Sequence, residues 1–118
     1  MKSMTIHRTN TILYCNQWDA TVKFYRDVIN LPVLLQKAWF VEFQLTDHGR
    51  MSVADASRTT VNSAGGAGIT LSWQVEGIDS IHDHMVSEGI AVSPIKDTWG
   101  ARTFCLFDPE GNRIELWA

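Results

Sequence analysis

The residues best suited to chemistry lie near the carboxyl end of the chain, where Glu115 follows the segment Asp108-Pro109-Glu110-Gly111. That segment has the residue preferences of a type I turn. Strand alternation after the turn places Arg113, Glu115 and Trp117 on one face. A carboxylate in this setting could bind a metal, act as a general base or anchor a ligand. Solvated sheet faces show the same alternation, so the role of Glu115 depends on the elements that surround it.

Composition limits the classes of function. With 118 residues and 45% hydrophobic residues, the chain can bury its own core as one domain. Its net charge is −3 and its basic residues are scattered singly, which argues against a nucleic-acid partner. No segment approaches the ~20 apolar residues of a membrane span, and the N-terminus has no signal-peptide pattern. Cys15 and Cys105 are typical of reduced thiols. We therefore expect a cytoplasmic protein without a membrane partner.

The same order of predicted helices and strands occurs twice along the chain. Helical spacing of apolar residues predicts a first helix from Asp19, as N-cap, to Ile29, and a second from Asp79 to Glu88 with Gly89 as C-cap. One strand precedes each helix and three follow it. The predicted strands are 11–15, 33–36, 39–45 and 51–55 in the first half, and 70–75, 91–95, 102–107 and 113–117 in the second.

The spacing of the two halves indicates related modules. Asp19 and Asp79 are 60 positions apart, and Asp47 and Asp108 are 61 apart. We predict an α+β fold of two βαβββ modules in a single domain, residues 1–118. Module one covers about residues 5–56 and module two about 69–118. The glycine-rich segment 57–68 between them is predicted to be a flexible linker, with a lid as the alternative.

Four motifs follow one another along the chain: Phe24-Tyr25-Arg26-Asp27, the segment 73–79, Trp99-Gly100-Ala101-Arg102, and Asp108 to Glu115. In this order they resemble the vicinal oxygen chelate superfamily, which groups glyoxalase I, bleomycin-resistance-type binding proteins, fosfomycin-modifying enzymes and extradiol dioxygenases. The resemblance covers nearly the whole chain and implies modules related by pseudo-twofold symmetry, whose curled mixed sheets surround a cleft, often completed in a homodimer.

The resemblance also implies positions for metal ligands. In metal-using relatives, the ligands come from the first and last strands of each module. These positions fall here on Asn10 and Thr70 in the first strands, and on Glu115 and either Val53 or Ala54 in the last strands. Only Glu115 is a residue type that binds metals strongly, and tight sites need about three protein ligands. The sequence therefore predicts no metal cofactor.

A polar cleft with aromatic edges is predicted instead. Alternation within the first strands selects its walls. We expect the carboxylate of Glu115 to accept hydrogen bonds from the amide of Asn10 and the hydroxyl of Thr70. The predicted ligand-binding residues are Asn10, Ile12, Tyr14, Thr70, Ser72, Gln74, Trp99, Arg102, Arg113 and Trp117.

Three functions are compatible with these residues. The first is a homodimeric protein that binds a small organic molecule without a metal, of the resistance or sequestration type. The alternative is a glyoxalase-, lyase- or dioxygenase-type enzyme with a divalent metal at Glu115, which acts as ligand or catalytic group, helped by a relocated ligand such as His7 or Asp55. The third is a structural or regulatory dimer with an occluded cleft. The other histidines, His48, His82 and His84, are predicted in a turn and on a helix.

Overall fold

A computed structural model describes residues 3–118 and divides the chain into two compact units. The first unit ends at Gly65 and the second begins at Gly66. Each unit contains one four-stranded mixed sheet and one main helix. The predicted α+β fold of two βαβββ modules is confirmed.

In the first unit, the strand order across the sheet is β1-β4-β3-β2, with β1 parallel to β4 and the other pairs antiparallel. A short 3-10 helix, Ala56–Arg58, follows the last strand. The elements are β1 (Thr9–Cys15), α1 (Trp18–Lys23) continued by a π-helix (Phe24–Val28), β2 (Val33–Lys37), β3 (Phe40–Gln44) and β4 (Gly49–Asp55).

The second unit repeats this arrangement with strand order β5-β8-β7-β6 and a parallel pair formed by β5 and β8. The other two pairs are antiparallel. The elements are β5 (Thr70–Gln74), α2 (Ile78–Ser87), β6 (Lys96–Thr98), β7 (Ala101–Phe107) and β8 (Arg113–Trp117).

Alternation along the strands gives each sheet one apolar face that packs against its helix. In the first unit, the ring of Tyr25 lies 6.1 Å from that of Phe43. In the second unit, the ring of His82 lies 4.8 Å from that of Phe104. We call the opposite side of each sheet its distal face. The buried apolar residues of the helix-facing sides include Leu13, Cys15, Val41, Phe43, Met51 and Val53 in the first unit, and Leu71, Phe104, Leu106, Ile114 and Leu116 in the second.

Two local predictions are wrong. The N-cap of the first helix is Gln17 rather than Asp19, which lies in the first turn, where its charge favours the helix dipole. The second strand of the second module is Lys96–Thr98 rather than 91–95. Ser93 does contact β7, because its backbone N–H donates to the carbonyl of Cys105 at 3.0 Å. Pro94 has no N–H and cannot continue such a ladder.

The turn at Asp108 is confirmed by its hydrogen bonds. The backbone N–H of Gly111 donates to the carbonyl of Asp108 at 3.0 Å. The buried carboxylate of Asp108 accepts from the backbone N–H groups of Glu110 and Asn112, both at 2.9 Å, and from the side-chain amide of Asn112 at 2.8 Å. The turn therefore fixes the start of β8.

The repeat register differs from the predicted one. The N–H of Leu45 donates to the carbonyl of Gly49, as the N–H of Asp108 donates to the carbonyl of Asn112. These two hairpin bonds are related by a shift of 63 positions, so Leu45, and not Asp47, corresponds to Asp108. The predicted shift of 61 is wrong for the last strands.

No helix within residues 3–118 has both the length and the apolar composition needed to cross a membrane.

Candidate functional site

The distal face of the second unit is a grid of three rows across β5, β8 and β7. Strand pairing places directly opposed residues side by side on the same face. The rows are Thr70, Arg113 and Phe107; Ser72, Glu115 and Cys105; and Gln74, Trp117 and Thr103. Five of the predicted ligand-binding residues and Glu115 thus lie on one surface.

Glu115 occupies the centre of this grid and is half-buried. Its carboxylate accepts a hydrogen bond from the hydroxyl of Ser72 at 2.8 Å. Ser72 is therefore the donor within this unit, and not Thr70 as predicted. The Thr70 hydroxyl instead accepts from Arg113.

Arg113 is exposed and makes two contacts with uncharged groups. Its Nη1 donates to the hydroxyl of Thr70 at 3.1 Å, and its Nη2 donates to the sulfur of Cys105 at 3.2 Å. These contacts hold the guanidinium over the first and second rows of the grid. Within residues 3–118, no carboxylate lies within 4.0 Å of it.

The distal face of the first unit is built on the same grid. Its first-strand positions, Asn10, Ile12 and Tyr14, were predicted to line the cleft. The rows across β1, β4 and β3 are Asn10, Arg50 and Gln44; Ile12, Ser52 and Glu42; and Tyr14, Ala54 and Phe40.

Four polar side chains of this first grid, those of Asn10, Glu42, Arg50 and Ser52, are hydrogen-bonded to one another. Arg50 Nη1 lies 2.8 Å from a carboxylate oxygen of Glu42, and these side chains are only 25% and 15% exposed. The amide of Asn10 donates to the other oxygen of Glu42 at 3.5 Å, and its carbonyl accepts from the hydroxyl of Ser52 at 2.9 Å. Within its own unit, the side-chain amide of Asn10 thus contacts Glu42 and Ser52. The expected hydrogen bond from Asn10 to Glu115 stays a prediction.

The pairing of β1 with β4 and of β5 with β8 shows which residue of the first unit occupies the family's metal-ligand position in the last strand. Asn10 pairs with Arg50, and Thr70 pairs with Arg113. Two residues further along each strand, Ser52 occupies the place that Glu115 occupies in the second unit. The counterpart of Glu115 is therefore Ser52, and not Val53 or Ala54.

Arg102 and Trp99 lie away from the second grid. Arg102 belongs to the helix-facing side of β7 and forms an exposed ion pair with Asp79 at 3.0 Å. Trp99 lies at the tip of the hairpin between β6 and β7, has a positive φ of 53° and is 100% exposed. The expectation that Arg102 shares a surface with Arg113 is contradicted by this placement.

The residues at the four family positions do not fit a divalent metal. They are one amide, two hydroxyls and one carboxylate, from Asn10, Thr70, Ser52 and Glu115, whereas stable transition-metal sites use about three strong ligands. The guanidinium of Arg113 on the same face as Glu115 also opposes a cation. Across residues 3–118, no cluster of three or more His, Cys, Asp or Glu side chains has a metal-binding arrangement.

The proposed relocated ligands do not change this conclusion. His7 is exposed and precedes β1. One carboxylate oxygen of Asp55 accepts hydrogen bonds from the backbone and the hydroxyl of Ser57 at 3.0 and 2.7 Å. Asp55 borders a polar cavity of about 360 Å³ at the start of α1, which is not part of the first grid.

Five site residues were missed by sequence reasoning: Glu42, Arg50, Ser52, Cys105 and Phe107. The signal was present in the alternation of β3, because Val41 and Phe43 are apolar and Glu42 between them must face the other way. The same alternation in β7 separates Cys105 and Phe107 from Phe104 and Leu106.

Comparison with known families and proteins gives a consistent result. The family model described as Glyoxalase/Bleomycin resistance protein/Dioxygenase superfamily matches residues 5–116. The "Uncharacterized protein YraH" of Bacillus subtilis (strain 168) is 25% identical over 122 residues, which covers 89% of this chain and 92% of that protein.

Solved structures of similar proteins share the fold. A lactoylglutathione lyase from Agrobacterium tumefaciens is 20% identical, with a TM-score of 0.76 and coverage of 92% and 90% of the two chains. TnmS3, an antibiotic binding protein from Streptomyces sp. CB03234, is 17% identical, with a TM-score of 0.79 and coverage of 98% and 97%. At these identities the likeness shows the fold alone.

Proposed function

The chain belongs to the Glyoxalase/Bleomycin resistance protein/Dioxygenase superfamily, and we propose that within it this protein binds a small organic molecule without a resident metal. The observation that carries the proposal is the make-up of the four family ligand positions, where Glu115 is the one strong ligand type. The distal grids offer hydrogen-bonding groups beside aromatic rings, which is the usual composition of small-molecule sites.

Structural relatives are compatible with this proposal. TnmS3 is an antibiotic binding protein, and its fold covers nearly the whole of this chain. The lactoylglutathione lyase has the same fold and belongs to the enzymatic class. Fold alone does not separate the two activities, so the side chains decide.

The second candidate is a metal-dependent enzyme of glyoxalase, lyase or dioxygenase type. It is favoured by one observation: the half-buried carboxylate of Glu115 lies at a family ligand position. In such an enzyme Glu115 would bind a divalent ion, which would polarise substrate oxygens. Its counterpart Ser52 and the first-strand residues Asn10 and Thr70 would contribute weak ligands at most.

We further propose that the protein is a cytoplasmic homodimer. Two cysteines are too few for a disulfide framework, which is typical of proteins in a reducing compartment. Large apolar side chains at the surface, with Trp99 fully exposed, support association with a second copy.

Elemental analysis and ligand titration together test the proposed function. Protein purified without chelator should contain no stoichiometric zinc, nickel, iron or manganese. In an NMR titration, two-ring aromatic compounds should bind with Kd values below about 1 mM and shift signals of the distal grids. One equivalent of metal that is lost in Glu115→Ala would support the enzyme instead. Absence of aromatic binding up to that concentration would contradict the binding function.

A further inference from the structure

The two distal grids carry an arginine at the same position but in different electrostatic settings. Arg50 and Arg113 both lie in the first row, on β4 and β8. Each guanidinium reaches diagonally toward the second row of the neighbouring strand, to Glu42 in the first unit and to Cys105 in the second. The surroundings of Arg113 can therefore be compared directly with those of Arg50.

In the first unit, the counter-ion of Arg50 is the side chain of Glu42. The carboxylate of Glu42 lies 2.8 Å from Arg50, and both side chains are largely buried. An anionic ligand would have to displace this carboxylate and leave it without a charged partner, which is costly in a desolvated site. The first grid is therefore a poor anion site.

In the second unit the corresponding residue is Cys105, and the counter-ion is missing. Arg113 uses one N–H of Nη1 on Thr70 and one of Nη2 on Cys105. A guanidinium has five N–H donors, so three are left for a ligand. The two existing contacts hold the guanidinium in place, which reduces the ordering cost of a two-point contact with a carboxylate.

An exposed aromatic ring lies next to this cation. Phe107 is the direct cross-strand partner of Arg113 and is 60% exposed. Directly opposed side chains of a sheet are about 5 Å apart at Cβ, which is within reach of one planar ligand. A ring stacked on Phe107 would place an attached carboxylate at Arg113.

Glu115 is the negative charge closest to Arg113 along β8, two residues away on the same face. Its carboxylate is held by the hydroxyl of Ser72 in the second row. A ligand carboxylate in the first row, between Arg113 and Phe107, lies to one side of it. A hydroxyl or N–H group elsewhere on the ligand could donate to Glu115.

The geometry points to an aromatic carboxylate as the class of ligand bound by the second unit, with Arg113 contacting the carboxylate and Phe107 stacking on the ring. This inference rests on the proposed small-molecule-binding function and adds the charge of the ligand to it. Arg113 determines the preference for an anion, whereas Phe107 contributes equally to charged and neutral ring compounds.

An NMR titration with 2-naphthoate and its neutral counterpart 2-naphthylmethanol tests the inference. We expect 2-naphthoate to bind about tenfold more tightly, because its contact with Arg113 is charge-assisted. Arg113→Gln should abolish this preference, and the matched control Arg58→Gln, at an exposed arginine in the 3-10 helix, should preserve it. Phe107→Ala should weaken both compounds by about fivefold and leave their ratio unchanged.

The outcomes separate the two levels of the proposal. If neither compound binds, the proposed function fails and the inference fails with it. If both bind equally, or if Arg113→Gln retains the preference, the inference is overturned while the binding function stands. Shifts confined to the first grid would also overturn it.

Discussion

At the level of single residues, the pair Arg50 and Glu42 makes a prediction about stability. Their ion pair is 2.8 Å long and largely buried, whereas the equivalent Arg113 is exposed and contacts only uncharged groups. Arg50→Gln should lower the free energy of unfolding by about 1 to 2 kcal/mol, because Glu42 loses its charged partner. Arg113→Gln should change it by less than about 0.5 kcal/mol.

Urea denaturation of the two variants and the wild type measures this difference. The arginines occupy equivalent grid positions, so each variant serves as the control for the other. Equal losses of stability would show that the ion pair contributes nothing beyond the packing of the arginine side chain.

The sequence predicted the residues of the second grid better than those of the first. The reason is that the first grid depended on the alignment of the two modules, which was inferred incorrectly. In β5 and β8, alternation alone placed Ser72, Arg113 and Glu115 on one face, and the structure agrees. In the first unit, the register depended on matching Asp47 with Asp108. Hydrogen bonding matches Leu45 instead, so the inferred last-strand position missed Ser52 and the Arg50 ion pair was not anticipated.

At the level of elements, the hairpin between β7 and β8 depends on a close contact with the segment that precedes β5. Gly66 has a positive φ of 84°, and a Cβ atom added there would lie 2.1 Å from the carbonyl oxygen of Gly111. The segment 57–68 is therefore not uniformly a flexible linker as predicted. One of its glycines packs against the turn that positions Arg113 and Glu115.

Gly66→Ala should therefore destabilise the protein by about 3 kcal/mol, from left-handed strain together with overpacking. Gly68→Ala is the matched control, because Gly68 has a similar φ of 76° but no atom within 4 Å of the added Cβ. It should cost about 1 kcal/mol. Chemical denaturation compares them, and similar losses would mean that the close approach to the turn does not contribute.

Element order was predictable because it depends on periodicity, but element ends were not. The first helix ends as a π-helix, where the N–H of Ile29 donates to the carbonyl of Phe24. Apolar spacing cannot distinguish this i to i+5 bonding from an ordinary helical turn. The position of β6 was also missed. Residues 91–95 have a strand-like composition, but Pro94 cannot donate a backbone hydrogen bond, and the strand lies at Lys96–Thr98 instead.

At the level of the whole molecule, the two units have the same element order and the same grid of distal positions but different chemistry in them. The second row reads Ile12, Ser52 and Glu42 in one unit, and Ser72, Glu115 and Cys105 in the other. The carboxylate of this row lies on β3 in the first unit, as Glu42, and on β8 in the second unit, as Glu115. A repeated architecture thus provides one surface with an internal ion pair and one with an unpaired cation.

The surface of the chain leads to a prediction about association. The edge strand β2 exposes Val33, Leu34 and Leu35, each by more than a third. An unpaired apolar edge favours pairing with another chain. We expect a dimer at micromolar concentration, with a sedimentation mass near twice the 13.3 kDa of one chain.

Leu34→Lys tests whether this edge forms the dimer contact. A lysine there would place a charge at the interface and should weaken dimerisation by about tenfold or more, as measured by sedimentation velocity over a dilution series. Val86→Lys, at an exposed apolar position on α2, is the matched control and should leave the mass unchanged. A wild-type monomer at micromolar concentration would contradict the dimer itself, whereas a Leu34→Lys dimer as tight as wild type would place the interface elsewhere on the surface.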